Sequence, residues 1–120
     1  MVRMTDELFD RVANRFKALG EPARLRILDA LRSGELTVGD LGGKTGLNQA
    51  NLSKHLQLLH AHEFVNRRKD GLFVYYSLKD DDVFQLCDIM CGRLEAGGAF
   101  ARAAARRSRP REGAVRPRRA

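Results

Sequence analysis

The dipeptide Asp70-Gly71, lying between the β-rich runs Phe64–Arg67 and Leu72–Leu78, narrows the choice of fold more than any other stretch. Asp-Gly tolerates the positive φ of a tight turn, so the two runs read as a hairpin closed over Arg68-Lys69-Asp70-Gly71. The pattern on either side is helical. Thr5 is positioned to cap a first helix ending near Gly20, with Leu8 or Phe9, Val12, Phe16 and Leu19 at helical spacing. Pro22 suits the first turn of a second helix, whose stripe is Leu25, Leu28 and Leu31, closed by Ser33-Gly34. A short third helix is expected over Val38 to Lys44, capped by Thr37, with Leu41 inward and Gly46 as its stop. Asn48 caps a fourth through about Ala61, with Leu52, His55, Leu56 and Leu59 on its apolar face. After the hairpin, Asp80-Asp81-Asp82 places negative charge at the start of a last helix striped by Val83, Phe84, Cys87, Met90, Cys91 and Leu94, with Gly97-Gly98 as its end. The expected class is mainly α with a small β-hairpin wing, in the order ααααββα.

Charge divides this chain of 120 residues into two unequal parts. Residues 1–98 carry 14 basic and 14 acidic side chains, so the whole excess of +7 lies in residues 99–120, which hold eight arginines against Glu112. One folded domain is therefore expected over 1–98. The Arg/Ala/Pro-rich tail, 99–120, has too few apolar side chains to offset the entropy of ordering and is expected to be disordered. Its charge suits non-specific phosphate contact, or simply solvation. No apolar run approaches the roughly 20 residues that span a bilayer, and the acidic start lacks the apolar core of a secretory signal. Two cysteines without such a signal point to a reducing, cytoplasmic setting.

Helix, helix, short helix, tight turn, helix and basic hairpin is the plan of a winged helix-turn-helix. The start of the second motif helix enters the major groove in that plan, and the wing touches backbone or minor groove. Polar residues fall where the task needs them. Gln49, Ala50 and Asn51 open the fourth helix, and Ser53, Lys54 and Gln57 lie on its outward side. Amide side chains pair bidentately with adenine, while Ser and Lys suit phosphates or guanine edges. Arg67, Arg68 and Lys69 cluster at the wing, and residues 44–69 hold five basic side chains against Glu63 alone.

With these residues in place, the chain resembles the bacterial ArsR/SmtB-type transcriptional repressors. The stretches that carry the resemblance are FKALGEPARLRILDAL (16–31), ELTVGDL (35–41), LNQANLSKHLQLL (47–59) and RRKDGLFVYYSL (67–78). The Ser53-x-His55-Leu56 signature and the later Gly71…Tyr75-Tyr76 wing are the most specific of them. The resemblance implies a homodimer built from the first and last helices. It also implies double-stranded operator DNA as partner, an inverted repeat read by two recognition helices, and repression relieved by an inducer. Metal-sensing members carry two thiols in the ELxVxDL stretch, where this chain has Thr37 and Gly39. Zinc-sensing members place Asp, His and Glu along the last helix, which here has no His. Glu63 stands where the family usually has glycine after the recognition helix, so a positive φ there would be mildly strained.

The remaining chemistry-bearing residues divide between packing and sensing. His55, on an apolar face, reads as a packed, hydrogen-bonded histidine, and His60 and His62 point to different sides of the helix. Tyr75 and Tyr76 alternate, one inward and one toward the wing surface. Cys87 and Cys91, the chain's two cysteines, share a face of the last helix and are assigned as the inducer-sensing pair. Four residues of helix separate their Cα atoms by about 6.2 Å. Their Cβ atoms, roughly 5–6 Å apart, exceed the distance a relaxed disulfide prefers. A soft metal or trivalent arsenic bridging both thiolates, a polysulfide link, or a disulfide across a dimer fits better. Packing of both as small hydrophobes is the alternative.

No cofactor is required, and no metal site is assigned elsewhere. The leading reading is a dimeric, sequence-specific repressor without catalytic activity. Its rivals are a winged-helix module for protein–protein or RNA contact, and a repressor with no small-molecule inducer. Nothing in the chain has the form of a Gly-rich phosphate loop or an HExxH metal motif, so an enzyme is not expected.

Overall fold

The computed structural model describes residues 3–96. The expected tail 99–120 and the Gly97-Gly98 helix end lie outside them. Helix α1, Asp6–Leu19, starts at Thr5, whose hydroxyl accepts from the Leu8 N–H at 3.1 Å, and closes at Gly20. Helix α2, Pro22–Ala30, runs into a 3-10 turn at Leu31–Ser33. A two-residue strand, β1 (Leu36–Thr37), leads directly into α3, Val38–Thr45. A reciprocal capping box fixes that junction: the Asp40 N–H donates to Thr37 Oγ1 at 3.0 Å, and the Thr37 N–H donates to Asp40 Oδ2 at 3.2 Å. Helix α4 is Gln49–Ala61, and the hairpin is β2 (Val65–Asp70) and β3 (Phe73–Leu78). Helix α5, Asp82–Ala96, ends the described chain.

The turn joining α3 to α4 is built from three local devices. Gly46 takes a left-handed conformation, φ 76°, and its N–H reaches the Gly42 carbonyl at 2.9 Å. Thr45 is buried but satisfied, donating to the Leu41 carbonyl at 2.6 Å and accepting from the Leu47 N–H at 3.3 Å. Asn48 Oδ1 then accepts from the Asn51 N–H at 2.9 Å, capping α4. The core behind this turn comes from Ile27, Leu28 and Leu31, Leu41 and Leu47, Leu52, Leu56 and Leu59, closed by Phe64, Val65, Tyr76 and Val83.

The structure alters the expected plan in three places. First, the order ααααββα omits β1, which pairs antiparallel with β3 through Leu36↔Tyr76 and Thr37↔Tyr75, so the sheet has the order β1-β3-β2. Two residues are too few to show alternation. Second, Leu25 is 39% exposed, and Ile27 takes its place in the core. Third, Arg68, Lys69 and Asp70 belong to β2 rather than to the turn, which consists of Gly71 and Leu72 alone. Gly71, φ 62°, supplies the positive φ at the first central position, and the strands stay in register to the tip at Asp70↔Phe73. A strand reading Arg-Arg-Lys-Asp has no apolar residue to announce it, yet polar residues are what an exposed edge tolerates.

Candidate nucleic-acid interface

The first turns of α4 present polar side chains to solvent because Leu52, Leu56 and Leu59 are drawn to one side. Leu52, Leu56 and Leu59 are buried. Gln49, Ala50, Lys54 and Gln57 are exposed, and Asn51 and Ser53 are half-buried. Asn48, already engaged as the cap, leaves Gln49 and Asn51 as the free amides at the positive end of the helix.

Extending β2 to Asp70 decides where the wing's charges go, because successive strand residues face opposite sides. Arg67 and Lys69 share the face of Val65, opposite Tyr76 and Val74 on β3. That face looks toward α4. Ser53, Gln57 and His60 from α4 and Arg67 from β2 line one cleft of about 380 Å³, floored by Tyr76 and Val74. The structure thus brings the outward side of α4 and one wing arginine into a single groove, and adds His60, which sequence spacing had left unassigned.

Arg68 takes the other face. Its Nε and Nη2 donate to the two carboxylate oxygens of Glu35 at 2.9 and 2.8 Å, and Nη1 reaches Asp70 Oδ2 at 3.4 Å. The guanidinium also lies 4.5 Å over the Tyr75 ring. This bidentate pairing holds the Glu35 carboxyl below the usual carboxylate range, the hydrogen bond from Arg68 being the largest cause. Glu35 lies 33 residues away, so no local signal in the sequence could have paired them. Of the two tyrosines, Tyr76 is the inward one and Tyr75 faces the wing.

His55 is half-buried on α4, with Nδ1 3.2 Å from Arg24 Nη1. Burial first, then the Arg24 charge, pushes its pKa below the ordinary histidine value. Glu63 adopts φ 62°, within a Schellman-type close of α4: the Glu63 N–H bonds to the His60 carbonyl at 3.0 Å and the Phe64 N–H to the Leu59 carbonyl at 2.9 Å.

Helix α5 buries only part of its apolar stripe. Val83 is buried, and Phe84 and Cys87 are half-buried. Met90, Cys91 and Leu94 are exposed, together with Leu86 and Ile89. Phe9 and Phe16 of α1 are also exposed. Both cysteines are free thiols. Burial pushes the Cys87 thiol up, and neighbouring Cys91 and Asp88 push the same way. Among the described residues, no group of three His, Cys, Asp or Glu converges as a metal cage would. No helix in the same range is long and apolar enough to cross a membrane.

Residues 21–67, from the start of α2 to the wing arginine, match the family model described as bacterial regulatory protein, arsR family. The chain is 38% identical over 65 residues to the transcriptional repressor SdpR of Bacillus subtilis, covering 54% of this chain and 72% of SdpR. It is 44% identical over 69 residues to the nodulation protein NolR of Rhizobium meliloti, covering 58% of this chain and 57% of NolR. The match therefore spans little more than half of NolR. Among solved structures, the homodimeric winged helix-turn-helix DNA-binding domain of Mb0332 from Mycobacterium bovis superposes with a TM-score of 0.66 at 34% identity, covering 77% of this chain and 91% of that one. A helix-turn-helix seated on a basic wing, over a stretch this similar to known regulators, places the chain in the ArsR/SmtB family of winged helix-turn-helix transcriptional regulators.

Proposed function

We propose that the protein is a dimeric, sequence-specific repressor acting in the cytoplasm. The observation that carries this reading is the shared groove. Ser53 and Gln57 of α4 and Arg67 of β2 line one cleft, and the exposed Gln49 and Asn51 lie at the leading end of the same helix. Gln49, Ala50, Asn51, Ser53, Lys54 and Gln57 meet the major groove, where the amides read base edges and Ser and Lys hold phosphates. Arg67 and Lys69 lie along the backbone beside it. Arg68, tied to Glu35, stiffens the wing from behind.

Dimerisation through α1 and α5 covers their exposed apolar side chains and sets two copies of α4 about 34–36 Å apart, one DNA turn, so the operator is an inverted repeat. Cys87 and Cys91 receive the inducing signal. The exposed Cys91 is the thiol a reagent meets first, and half-buried Cys87, four residues back on the same helix, is its partner. A metalloid, a soft metal or reactive sulfur joining them distorts α5 and with it the spacing of the two reading helices.

A mobility-shift titration with duplex from the protein's own promoter, against random duplex of equal length, tests the reading. Gln49→Ala should lower promoter affinity roughly 5- to 150-fold for each half-site, as the loss of one bidentate base contact does, and leave random-duplex binding unchanged, whereas Ser53→Ala, which removes a phosphate contact, should weaken both duplexes alike. Normal promoter binding by both variants and by Lys54→Ala would remove α4 from the DNA.

A further inference from the structure

Two arginines tie α1 to α4. Arg15 of α1 donates to the His62 carbonyl just past the end of α4, and its guanidinium lies 4.3 Å over the Phe64 ring. Arg24 of α2 makes a three-way junction. Its Nε donates to the Ala18 carbonyl at 2.6 Å, its Nη2 to the Lys17 carbonyl at 3.1 Å, and its Nη1 meets His55 Nδ1 at 3.2 Å. Lys17 and Ala18 form the last turn of α1, where unpaired carbonyls make the negative end of the helix and attract a cation. His55 sits mid-way along α4, between Asn51 and Leu59. A single side chain on α2 therefore joins the end of one apolar-faced helix to the middle of the helix that reads DNA.

The chemistry of the junction fixes the protonation state of His55. Arginine has five donors, no acceptor and a proton it does not lose, so Nδ1 must present its lone pair. The neutral ring with its proton on Nε2 does so. The imidazolium carries N–H at both nitrogens and sets a proton and a positive charge against the guanidinium. We propose that Arg24 and His55 are positioning residues for operator binding: neutral His55 lets Arg24 lock α4 to the end of α1, and protonation of the ring releases the lock.

This inference rests on α4 being the reading helix. The charges around the ring are Arg24 and Glu21 from the start of α2, and Lys54 from α4 itself. Arg24 and Lys54 disfavour the imidazolium and Glu21 favours it; burial, the largest influence, also disfavours it. The folded-state pKa is thus depressed. The lock is complete above the unfolded value of about 6.5 and is lost as the pH falls through the lower folded value.

The test uses the full chain, its promoter duplex and a random duplex, titrated at about pH 8 and about pH 5.5, together with an NMR titration of the His55 ring. Wild-type preference for the promoter duplex should fall on acidification by at most about tenfold, the ceiling for a group titrating no higher than about 6.5 read at a pH one unit lower. His55→Asn, whose amide oxygen can stand near the place of Nδ1 and does not titrate, should keep its preference at both pH values. Arg24→Met should weaken the preference at about pH 8 and raise the His55 pKa; Arg24→Lys, which keeps the charge but not the fork, serves if the methionine variant does not fold.

A wild-type preference that holds or rises in acid overturns the proposal. So does a wild-type loss retained in His55→Asn, or a His55 titration unmoved in a folded Arg24→Met. Failure of the underlying reading has its own signature. Wild type then shows no promoter preference even at about pH 8, and the role of the junction in operator binding falls with it.

Discussion

Replacing Arg67 and Arg68 one at a time with alanine should give two different salt dependences, although the residues are neighbours of the same charge. Arg67 faces the α4 side of the sheet, in the cleft with Ser53 and Gln57. Arg68 faces the other side, with Nε and Nη2 on Glu35 and Nη1 on Asp70. Each phosphate met by a cation contributes about −0.9 to the slope of log affinity against log salt. Raising salt from about 50 to about 200 mM is a fourfold change, so one such contact is worth about 3.5-fold in affinity over that range and two are worth about 12-fold. In the proposed dimer each substitution removes two side chains. Arg67→Ala should therefore flatten the slope by about 1.8 units on promoter and random duplex alike. Arg68→Ala should change it far less, because its charge is already matched within the protein. Fluorescence anisotropy across a salt series on a labelled duplex reads both slopes. Equal flattening by the two variants, or a larger effect at Arg68, would refute the assignment of opposite faces to the wing.

Three further outcomes follow from the same geometry. Glu63→Gly should raise the stability of the chain by about 1 kcal/mol in a denaturant titration, since a left-handed conformation costs a side chain about 1–2 kcal/mol and glycine's extra unfolded freedom returns part of that; an unchanged or lower midpoint would mean the strain is absent. Ile89→Glu places a charge among exposed apolar residues of α5 and should turn the dimer into folded monomers by sedimentation, while an intact dimer would move the interface off this helix. Cys87→Ser with Cys91→Ser should bind promoter duplex as the reduced wild type does, yet resist the arsenite, polysulfide or oxidant that releases wild type; release of the double variant by the same reagent would make the cysteines packing residues.

The legible parts of this fold were those written in short-range chemistry. Thr5, Thr37 and Asn48 announce helix starts because a side-chain oxygen at that place accepts a backbone N–H, and all three do so. Gly46 and Gly71 announce turns because their positive φ repels other residues, and both adopt it. What escaped was set at long range. Leu36 and Thr37 become a strand only because β3 passes beside them. The length of β2 follows from register with β3 rather than from any property of Arg-Arg-Lys-Asp, and that register splits a basic cluster that reads as one patch. In α2 and the 3-10 turn that continues it, the apolar positions 25, 27, 28 and 31 fit more than one helical stripe, and packing against α3 and α4 selects Ile27 over Leu25. The shared groove was half legible: the outward residues of α4 follow from periodicity, but the approach of Arg67 and His60 needs the tertiary fold.

The apolar and polar surfaces of the chain are separated in a way that bears on how a signal could travel. Apart from Leu72 and Phe73 at the wing tip and Leu25 on α2, the exposed large apolar side chains of the helices and hairpin gather on α1 and α5, whereas the groove belongs to α4 and the wing. A dimer built on the former leaves the latter free, so association and DNA reading do not compete for the same surface. They are nevertheless joined. On α5, Phe84 lies one turn before Cys87, and its ring receives the Arg32 guanidinium at 4.2 Å. Arg32 belongs to the 3-10 turn that continues α2, and Arg24, near the other end of α2, holds both the last turn of α1 and His55 on α4. In the proposed sensing role, a bond between Cys87 and Cys91 would distort the turn of α5 that follows Phe84. Movement of Phe84 would then reach Arg32 at one end of α2, with Arg24 at the other. The proposed route consists of a stacked cation, one helix and a forked guanidinium, contacts of the kind that two sites bias in common when each has a made and an unmade state.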